Sequence, residues 1–116
     1  MALSKDQVDR IIKGFISRLV KEIPVEEVIL FGSYAHGNPK EHSDIDLAII
    51  SDWFRDKTRI QNMQYLSRIA ARYNTLIEAI PFTTDEYRQL DRRTFLASIV
   101  KSGKPYAPDS DGLRSA

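Results

Sequence analysis

Apolar residues recur along this chain with two different periods. Steps of three and four residues are typical of a helix that buries one side, whereas a short apolar or alternating run bounded by turn residues is typical of a strand. The first pattern predicts helices over residues 4–23, 54–73 and 91–102, with a helical turn at residues 33–36 and a short helix that opens at Thr83. The second pattern predicts strands over residues 27–31, 44–50 and 75–82. We therefore expect an α/β (α+β) fold, in which helices pack on one face of a small mixed β-sheet and the other face stays open.

The apolar stripe of each predicted helix marks its expected core side. In the helix over residues 54–73 the stripe is formed by Ile60, Met63, Leu66, Ile69, Ala70 and Tyr73. In the helix over residues 91–102 it is formed by Phe95, Leu96, Ile99 and Val100. Capping boxes are expected where Ser4 precedes Gln7 and where Thr83 precedes Glu86, because the two side chains of such a box satisfy free backbone groups at a helix start.

The most distinctive residues lie between the first two predicted strands. The first strand ends in Gly32 and Ser33, ten residues follow, and the second strand begins with Asp44 and, two positions later, Asp46. Side chains two positions apart on a strand point to the same side, so these carboxylates are expected to project together. Because such a pair repels itself unless a cation is bound, the pattern favours a Mg²⁺ site. Gly32, which has no Cβ, and the Ser33 hydroxyl are suited to holding the phosphates of a nucleotide.

Glu78 is an acidic residue in an otherwise apolar predicted strand. A carboxylate is costly to bury unless it is paired or bound to a metal, so we expect Glu78 to be the third acid beside Asp44 and Asp46. The alternative is an exposed charge on the strand or a partner for a nearby arginine.

Length and composition narrow the functions that this chain can have. The 116 residues suit one compact domain, expected over residues 1–107, followed by a flexible tail at residues 108–116. With 17 basic and 16 acidic residues, net charge does not indicate binding to nucleic acid. There is no cysteine, which excludes a disulfide framework and a cysteine nucleophile. No apolar run approaches the length of a membrane span, about 18 residues, and there is no signal-peptide pattern, so we expect a cytoplasmic protein without membrane contact.

Several other kinds of functional site are excluded because the residues that they require are absent at the required positions. A P-loop would need Lys where Asn38 stands, and a hydrolase elbow would need Gly where Ala35 stands. His36 and His42 lack the further nitrogen ligand that a zinc site would need, and both are expected on the surface.

In this order, Gly32-Ser33, the ten-residue spacer, Asp44-x-Asp46 and an acid on a later strand resemble the signature of the DNA polymerase β-type nucleotidyltransferase superfamily. The short chain is most similar to the minimal nucleotidyltransferases, including MntA-type antitoxins paired with HEPN toxins. The resemblance covers residues 28–106 and implies a polymerase β-like nucleotidyltransferase fold.

The resemblance also implies an activity and a partner. The expected reaction is transfer of AMP from ATP to a hydroxyl, with a tyrosine of a cognate HEPN ribonuclease toxin as acceptor. Two Mg²⁺ ions are expected, with Asp44 and Asp46 holding the ion on the triphosphate and Glu78 completing the second ion's site. Gly32 and Ser33 would hold the β- and γ-phosphates.

Two positions depart from the family pattern. Glu78 stands where the third acid is usually Asp, and His36 stands where many relatives carry Arg. An alternative therefore stays open, namely a catalytically weak or inactive binding module that neutralises its partner sterically. A transferase that acts on RNA or on a small molecule is a third possibility, which the short chain and the balanced charge disfavour.

Overall fold

The computed structural model describes residues 2–108, within which the chain forms a four-stranded sheet, five α-helices and one 3₁₀ helix. The strands are β1 (Glu27–Phe31), β2 (Ile45–Ile50), β3 (Ile77–Phe82) and β4 (Lys104–Tyr106). The α-helices are α1 (Lys5–Leu19), α2 (Ser33–His36), α3 (Arg59–Tyr73), α4 (Thr84–Arg88) and α5 (Phe95–Ser102), and the 3₁₀ helix is Asp52–Asp56. Most of the predicted tail, residues 109–116, lies outside the described residues. No helix in the described range has the length and apolar character needed to cross a membrane.

The sheet is mixed, which confirms the predicted fold class. Its strand order is β3-β2-β1-β4, with β2 and β3 parallel and the two other pairs antiparallel. Parallel neighbours need a crossover connection, and α3 supplies it between β2 and β3. The register aligns Phe31 of β1 with Asp46 of β2, and Asp46 with Glu78 of β3. These three residues therefore form a row across the sheet.

Helices α1 and α3 cover one face of the sheet. The alternation predicted for β2 is confirmed there, because Ile45, Leu47 and Ile49 are fully buried in a core shared with both helices. From the helices this core receives Val8, Ile12, Phe15, Ile16, Leu19, Leu66 and Ala70.

The opposite face has a covered part and an open part. A second, smaller core is formed there by Ile29, Ala48, Ile50, Phe82, Leu96 and Ile99. The last two belong to α5, so this face is more covered than the sequence indicated. Asp46 lies on the same face as Ala48 and Ile50, at the other end of β2, where it is only half-buried. Glu78, its neighbour on β3, is exposed.

The first predicted helix ends earlier than expected. The Ser4-Gln7 capping box is confirmed, but α1 stops at Leu19 with Val20 as its C-cap, not at residue 23. The backbone N–H groups of residues 22 and 23 both donate to the Leu19 carbonyl, so the chain tightens into turns. These turns bring Ile23 into the core, where it is 3% exposed.

The predicted helix over residues 54–73 is two elements. A capping box of Thr58 and Gln61 starts α3 anew after the 3₁₀ helix. Asn62, whose side chain donates to the Phe54 carbonyl, begins the buried line of α3, which continues through Leu66 and Ala70.

The placement of Ile60 and Met63 in the core was wrong. They are 69% and 41% exposed, because they lie about 200° and 100° around the helix from Asn62.

The last helix and the strand after it also differ from expectation. The Thr83-Glu86 box is confirmed at the start of α4, but α5 begins at Phe95 after the N-cap Thr94, because Asp91 forms a local turn by accepting from the Arg93 N–H. Phe95 was expected inside and is 56% exposed.

Strand β4 was not predicted. Its three residues pair with β1, and its Tyr106 hydroxyl donates to Asp9 Oδ1 at 2.9 Å. Tyr106 therefore packs against the core that α1 and α3 share with the sheet.

Candidate functional site: an acidic cluster beside a glycine turn

Three carboxylates converge at one end of the central strands. Asp44 immediately precedes β2, Asp46 is the second residue of β2, and Glu78 is the second residue of β3. One oxygen from each of these side chains can be chosen so that all three atoms lie within 4.8 Å of one another. The parallel register of β2 and β3 accounts for this, because it sets Asp46 directly beside Glu78.

No positive charge among the described residues pairs with this cluster. The ion pairs within residues 2–108 all involve other acids, namely Asp9, Asp52, Glu26 and Asp91. An arginine partner for Glu78, one of the two alternatives that the sequence left open, is therefore absent from this part of the chain, whereas the other alternative, an exposed charge on the strand, agrees with the exposure of Glu78. The cluster thus concentrates negative charge that the described protein leaves uncompensated.

Asp46 carries the clearest electrostatic consequence of this arrangement. Burial raises the pKa of its carboxyl, and the negative charges of Glu78 and Asp44 raise it further, to about 6 from an ordinary value of 3.8. The ionised form of Asp46 is thus disfavoured in the metal-free protein. A bound cation would reverse both effects, because it supplies opposite charge at the point where water has been removed.

Gly32 is required by the geometry of the turn that follows β1. It has a φ of 77° and a ψ of −157°, a region that residues with a Cβ essentially do not adopt. A Cβ at this position would lie 2.2 Å from Asp46 Oδ2, closer than any real contact. The turn and the acidic cluster therefore touch, and an alanine at position 32 would have to displace the carboxylate.

The other predicted site residue of the turn is Ser33. It is the first residue of α2, directly after Gly32, and is partly exposed. The chain leaves this short helix through Gly37, which has a φ of 78°. His36 and His42 are both exposed, as expected. The structure thus brings Asp44, Asp46 and Glu78 together and sets Gly32 against them, with Ser33 next in the chain.

The donor set fits a hard divalent cation. Mg²⁺ prefers oxygen ligands and usually takes one or two carboxylates from the protein, the rest of its shell being water or substrate phosphate. Asp44, Asp46 and Glu78 supply such oxygens on an accessible surface.

An aromatic pair beside the cluster was not identified from the sequence. The ring centres of Phe31 and Phe95 are 5.6 Å apart, with an interplanar angle of 86°. Phe31 is aligned with Asp46 in the sheet, so the pair lies next to the acids. The signal in the sequence was masked because Phe95 fits the apolar period of α5, which predicts burial.

Comparisons with known proteins indicate the family of this chain. A family model described as Nucleotidyltransferase domain matches residues 10–107. Two curated proteins of Methanocaldococcus jannaschii, each named as a putative protein adenylyltransferase, are similar over most of their length. One is 37% identical over 100 residues, which cover 84% of this chain and 96% of the relative. The other is 26% identical over 98 residues, covering 83% and 94%.

One solved structure shares the fold, and a second aligns less well. A crystal structure of a putative nucleotidyltransferase from Sulfolobus solfataricus aligns with a TM-score of 0.57 at 21% identity, over 78% of this chain and 86% of that one. A structure of a toxin-antitoxin MntA-HpeT mutant aligns with a TM-score of 0.48 at 22% identity, over 90% and 72% of the two chains.

Proposed function

This chain belongs to the nucleotidyltransferase domain family, and from that premise we propose that it transfers AMP from ATP to a hydroxyl group, with Mg²⁺ held by Asp44, Asp46 and Glu78. The observation that carries the proposal is the approach of these three carboxylates to within 4.8 Å at a point where Gly32 touches Asp46. The acidic cluster and a turn suited to phosphate thus lie side by side, an arrangement that supports metal-assisted phosphoryl transfer.

Each residue has a distinct role in the proposed reaction. The backbone at Gly32 and the Ser33 hydroxyl hold the β- and γ-phosphates, which directs the α-phosphate toward the acids. Asp44 and Asp46 would hold the metal of the triphosphate, and Glu78 would complete the site on the acceptor side. When bound, Mg²⁺ neutralises phosphate charge and makes the acceptor hydroxyl more acidic.

The bonds change in a single displacement at the α-phosphorus. The acceptor oxygen bonds to this phosphorus, and the bond from the phosphorus to the oxygen that bridges the α- and β-phosphates breaks. Pyrophosphate leaves with the electron pair of that bond. Glu78 accepts the proton of the acceptor hydroxyl, since it lies on the β3 side of the cluster and is exposed.

We propose a protein as the acceptor, specifically a tyrosine of a cognate HEPN toxin that the modification silences. Two observations support this. The Gly32-Ser33 and Asp44-x-Asp46 pattern resembles that of MntA-type antitoxins, and the relative at 37% identity is named as a putative protein adenylyltransferase.

The test is incorporation of labelled AMP into the proposed HEPN partner, with ATP and Mg²⁺ present. We expect Asp44→Asn, Asp46→Asn and Glu78→Gln to lower the labelling rate about 100-fold or more, because loss of a metal ligand removes several kcal/mol of charge stabilisation. Asp56→Asn is the matched control, since this exposed acid lies on the 3₁₀ helix beyond the far end of β2.

Two results would change the conclusion. The protein would be a steric binding module if the wild type labels nothing but still forms a stable complex with the toxin and protects cells from it. In that case all three site variants would also protect cells. Equal loss of labelling in Asp56→Asn would show that the variants act through folding and not through the metal site.

A further inference from the structure

Phe95 is an exposed aromatic residue on a helix that otherwise turns its apolar side inward. It is 56% exposed, whereas Leu96 and Ile99 of the same helix are 4% and 2% exposed. Its ring meets that of Phe31 edge to face, with centres 5.6 Å apart. Such pairs are favourable and fix ring orientation, so Phe31 holds Phe95 in place while more than half of its surface stays free.

The position of this pair relative to the acids is set by the sheet. Phe31 lies beside Asp46, one strand spacing of about 4.8 Å away, and Glu78 lies beside Asp46 on the other side. Phe31 also immediately precedes Gly32 and Ser33 in the chain. The aromatic pair is therefore on the phosphate side of the acidic cluster, and Glu78 is on the side away from it.

We propose that the base of the nucleoside triphosphate stacks on the exposed face of Phe95. The inference rests on the proposed function, because it takes the triphosphate to lie at Gly32 and Ser33. A nucleotide held there by its phosphates extends its base either toward the aromatic pair or toward solvent. An aromatic ring that is fixed, exposed and adjacent to the phosphate turn is the surface on which a base gains most.

The same placement argues against the acceptor as the occupant. In the proposed reaction the acceptor hydroxyl approaches the α-phosphate from the side of Glu78. Glu78 lies on β3 and Phe31 lies on β1, so strand β2 separates the two residues. An acceptor ring on Phe95 would lie on the side occupied by the bound nucleotide.

Stacking has a consequence for nucleotide selectivity. Every base has a π-face, so stacking tolerates different bases and favours those that stack more strongly. We therefore expect ATP and GTP to bind with similar affinity and UTP to bind more weakly. A single aromatic platform has no hydrogen-bonding groups with which to distinguish adenine from guanine.

The test measures binding by calorimetry with four probes in the presence of Mg²⁺: ATP, GTP, UTP and inorganic tripolyphosphate, which has the phosphates but no base. Phe95→Ala should weaken ATP binding roughly 5- to 150-fold and leave tripolyphosphate affinity unchanged. Phe95→Tyr should retain ATP affinity, because it keeps the ring. Ile60→Ala is the matched control, an exposed apolar residue on α3 that should change neither.

Other outcomes would contradict the stacking proposal or the proposed function. If Phe95→Ala leaves ATP affinity intact, or weakens ATP and tripolyphosphate equally, the stacking proposal is wrong while the phosphate site stands. If the alanine variant keeps ATP affinity but transfers AMP slowly, the ring contacts the acceptor and the proposal is likewise wrong. A wild type that prefers ATP to GTP strongly contradicts recognition by stacking. A wild type that binds neither ATP nor tripolyphosphate overturns the proposed function itself.

Discussion

Replacing Asp46 by Asn should separate the stability of this protein from its ability to bind metal. The substitution keeps the shape and volume of the side chain but removes its charge. Because Asp46 is held beside Asp44 and Glu78, with one oxygen of each within 4.8 Å, that charge is unfavourable until a cation is bound. We expect the metal-free variant to be more stable than the wild type and to lose its response to Mg²⁺.

The pKa of Asp46 gives the size of the effect. Its rise from 3.8 to about 6 would correspond to about 3 kcal/mol at 1.36 kcal/mol per pKa unit. Asp46 is only half-buried, so solvent screens its neighbours and the realistic gain is on the order of 1 kcal/mol. For a domain of this size such a gain raises the melting temperature by about 4 °C.

The pH dependence has a definite sign. Because the folded pKa of Asp46 lies above its unfolded value, the folded state binds more protons between pH 3.8 and about 6, and stability contributed by this residue falls as pH rises through that window. The stability difference between Asp46→Asn and wild type should therefore be near zero at pH 4 and fully developed above pH 7. Titratable groups away from the acidic cluster shift the two profiles together and cancel in the difference.

The assay is urea unfolding of both proteins from pH 4 to 8, with EDTA and then with excess Mg²⁺. Bound metal stabilises only a protein that can bind it, so Mg²⁺ should raise the stability of the wild type and not that of the variant. The proposed effect of the Asp46 charge is refuted if Asp46→Asn is less stable than the wild type at pH 7.5 in EDTA. It is also refuted if the difference in stability between the two proteins does not change with pH. A Mg²⁺ response that survives in the variant would remove Asp46 from the metal site.

Three further substitutions test separate parts of the structure. Gly32→Ala should melt at lower temperature and lose Mg-ATP binding, because a Cβ would lie 2.2 Å from a carboxylate oxygen of the cluster. Gly37→Ala is the control, because Gly37 has a similar φ but open space around it, and this variant should lose only stability. Equal loss of Mg-ATP binding in both variants would contradict the role given to Gly32. Glu78→Gln should retain Mg-ATP affinity in calorimetry while AMP transfer is lost, and a parallel loss of affinity would place Glu78 on the triphosphate's metal instead. Tyr106→Phe should lower the free energy of unfolding by about 1 kcal/mol, since its hydroxyl donates to Asp9 at 2.9 Å. Urea unfolding of this variant at wild-type stability would show that the bond contributes nothing.

The central part of the fold could be read from the sequence because its signals are local. The strand over residues 27–31 and the helical turn over 33–36 were predicted with the bounds that the structure has, since Gly32, Gly37 and the apolar runs mark these elements. The grouping of the three acids was also predictable, because the two-residue period of a strand orients Asp44 and Asp46. Glu78 stood out as a charge within an apolar run.

The structural features that could not be predicted from the sequence depend on contacts between distant segments. Strand β4 is three residues long and includes Pro105, so nothing local predicts it, and it exists because β1 offers a free edge. The exposure of Ile60 and Phe95 was missed because periodicity identifies an apolar stripe and not the part of it that a partner element covers. The contact of Gly32 with Asp46 needs the register of β1 and β2, which no single segment specifies.

The position of β4 has a consequence for how this protein is made. Since β4 pairs with β1, the edge of β1 stays open until residues 104–106 have left the ribosome. During that interval an apolar strand presents free backbone groups, which is the condition under which nascent chains associate wrongly. Strands β2 and β3, which carry Asp46 and Glu78, are both synthesised earlier than α5 and β4. On a ribosome that stalls before residue 104, the three acids of the cluster would therefore already be synthesised, but the edge of β1 would still be unpaired.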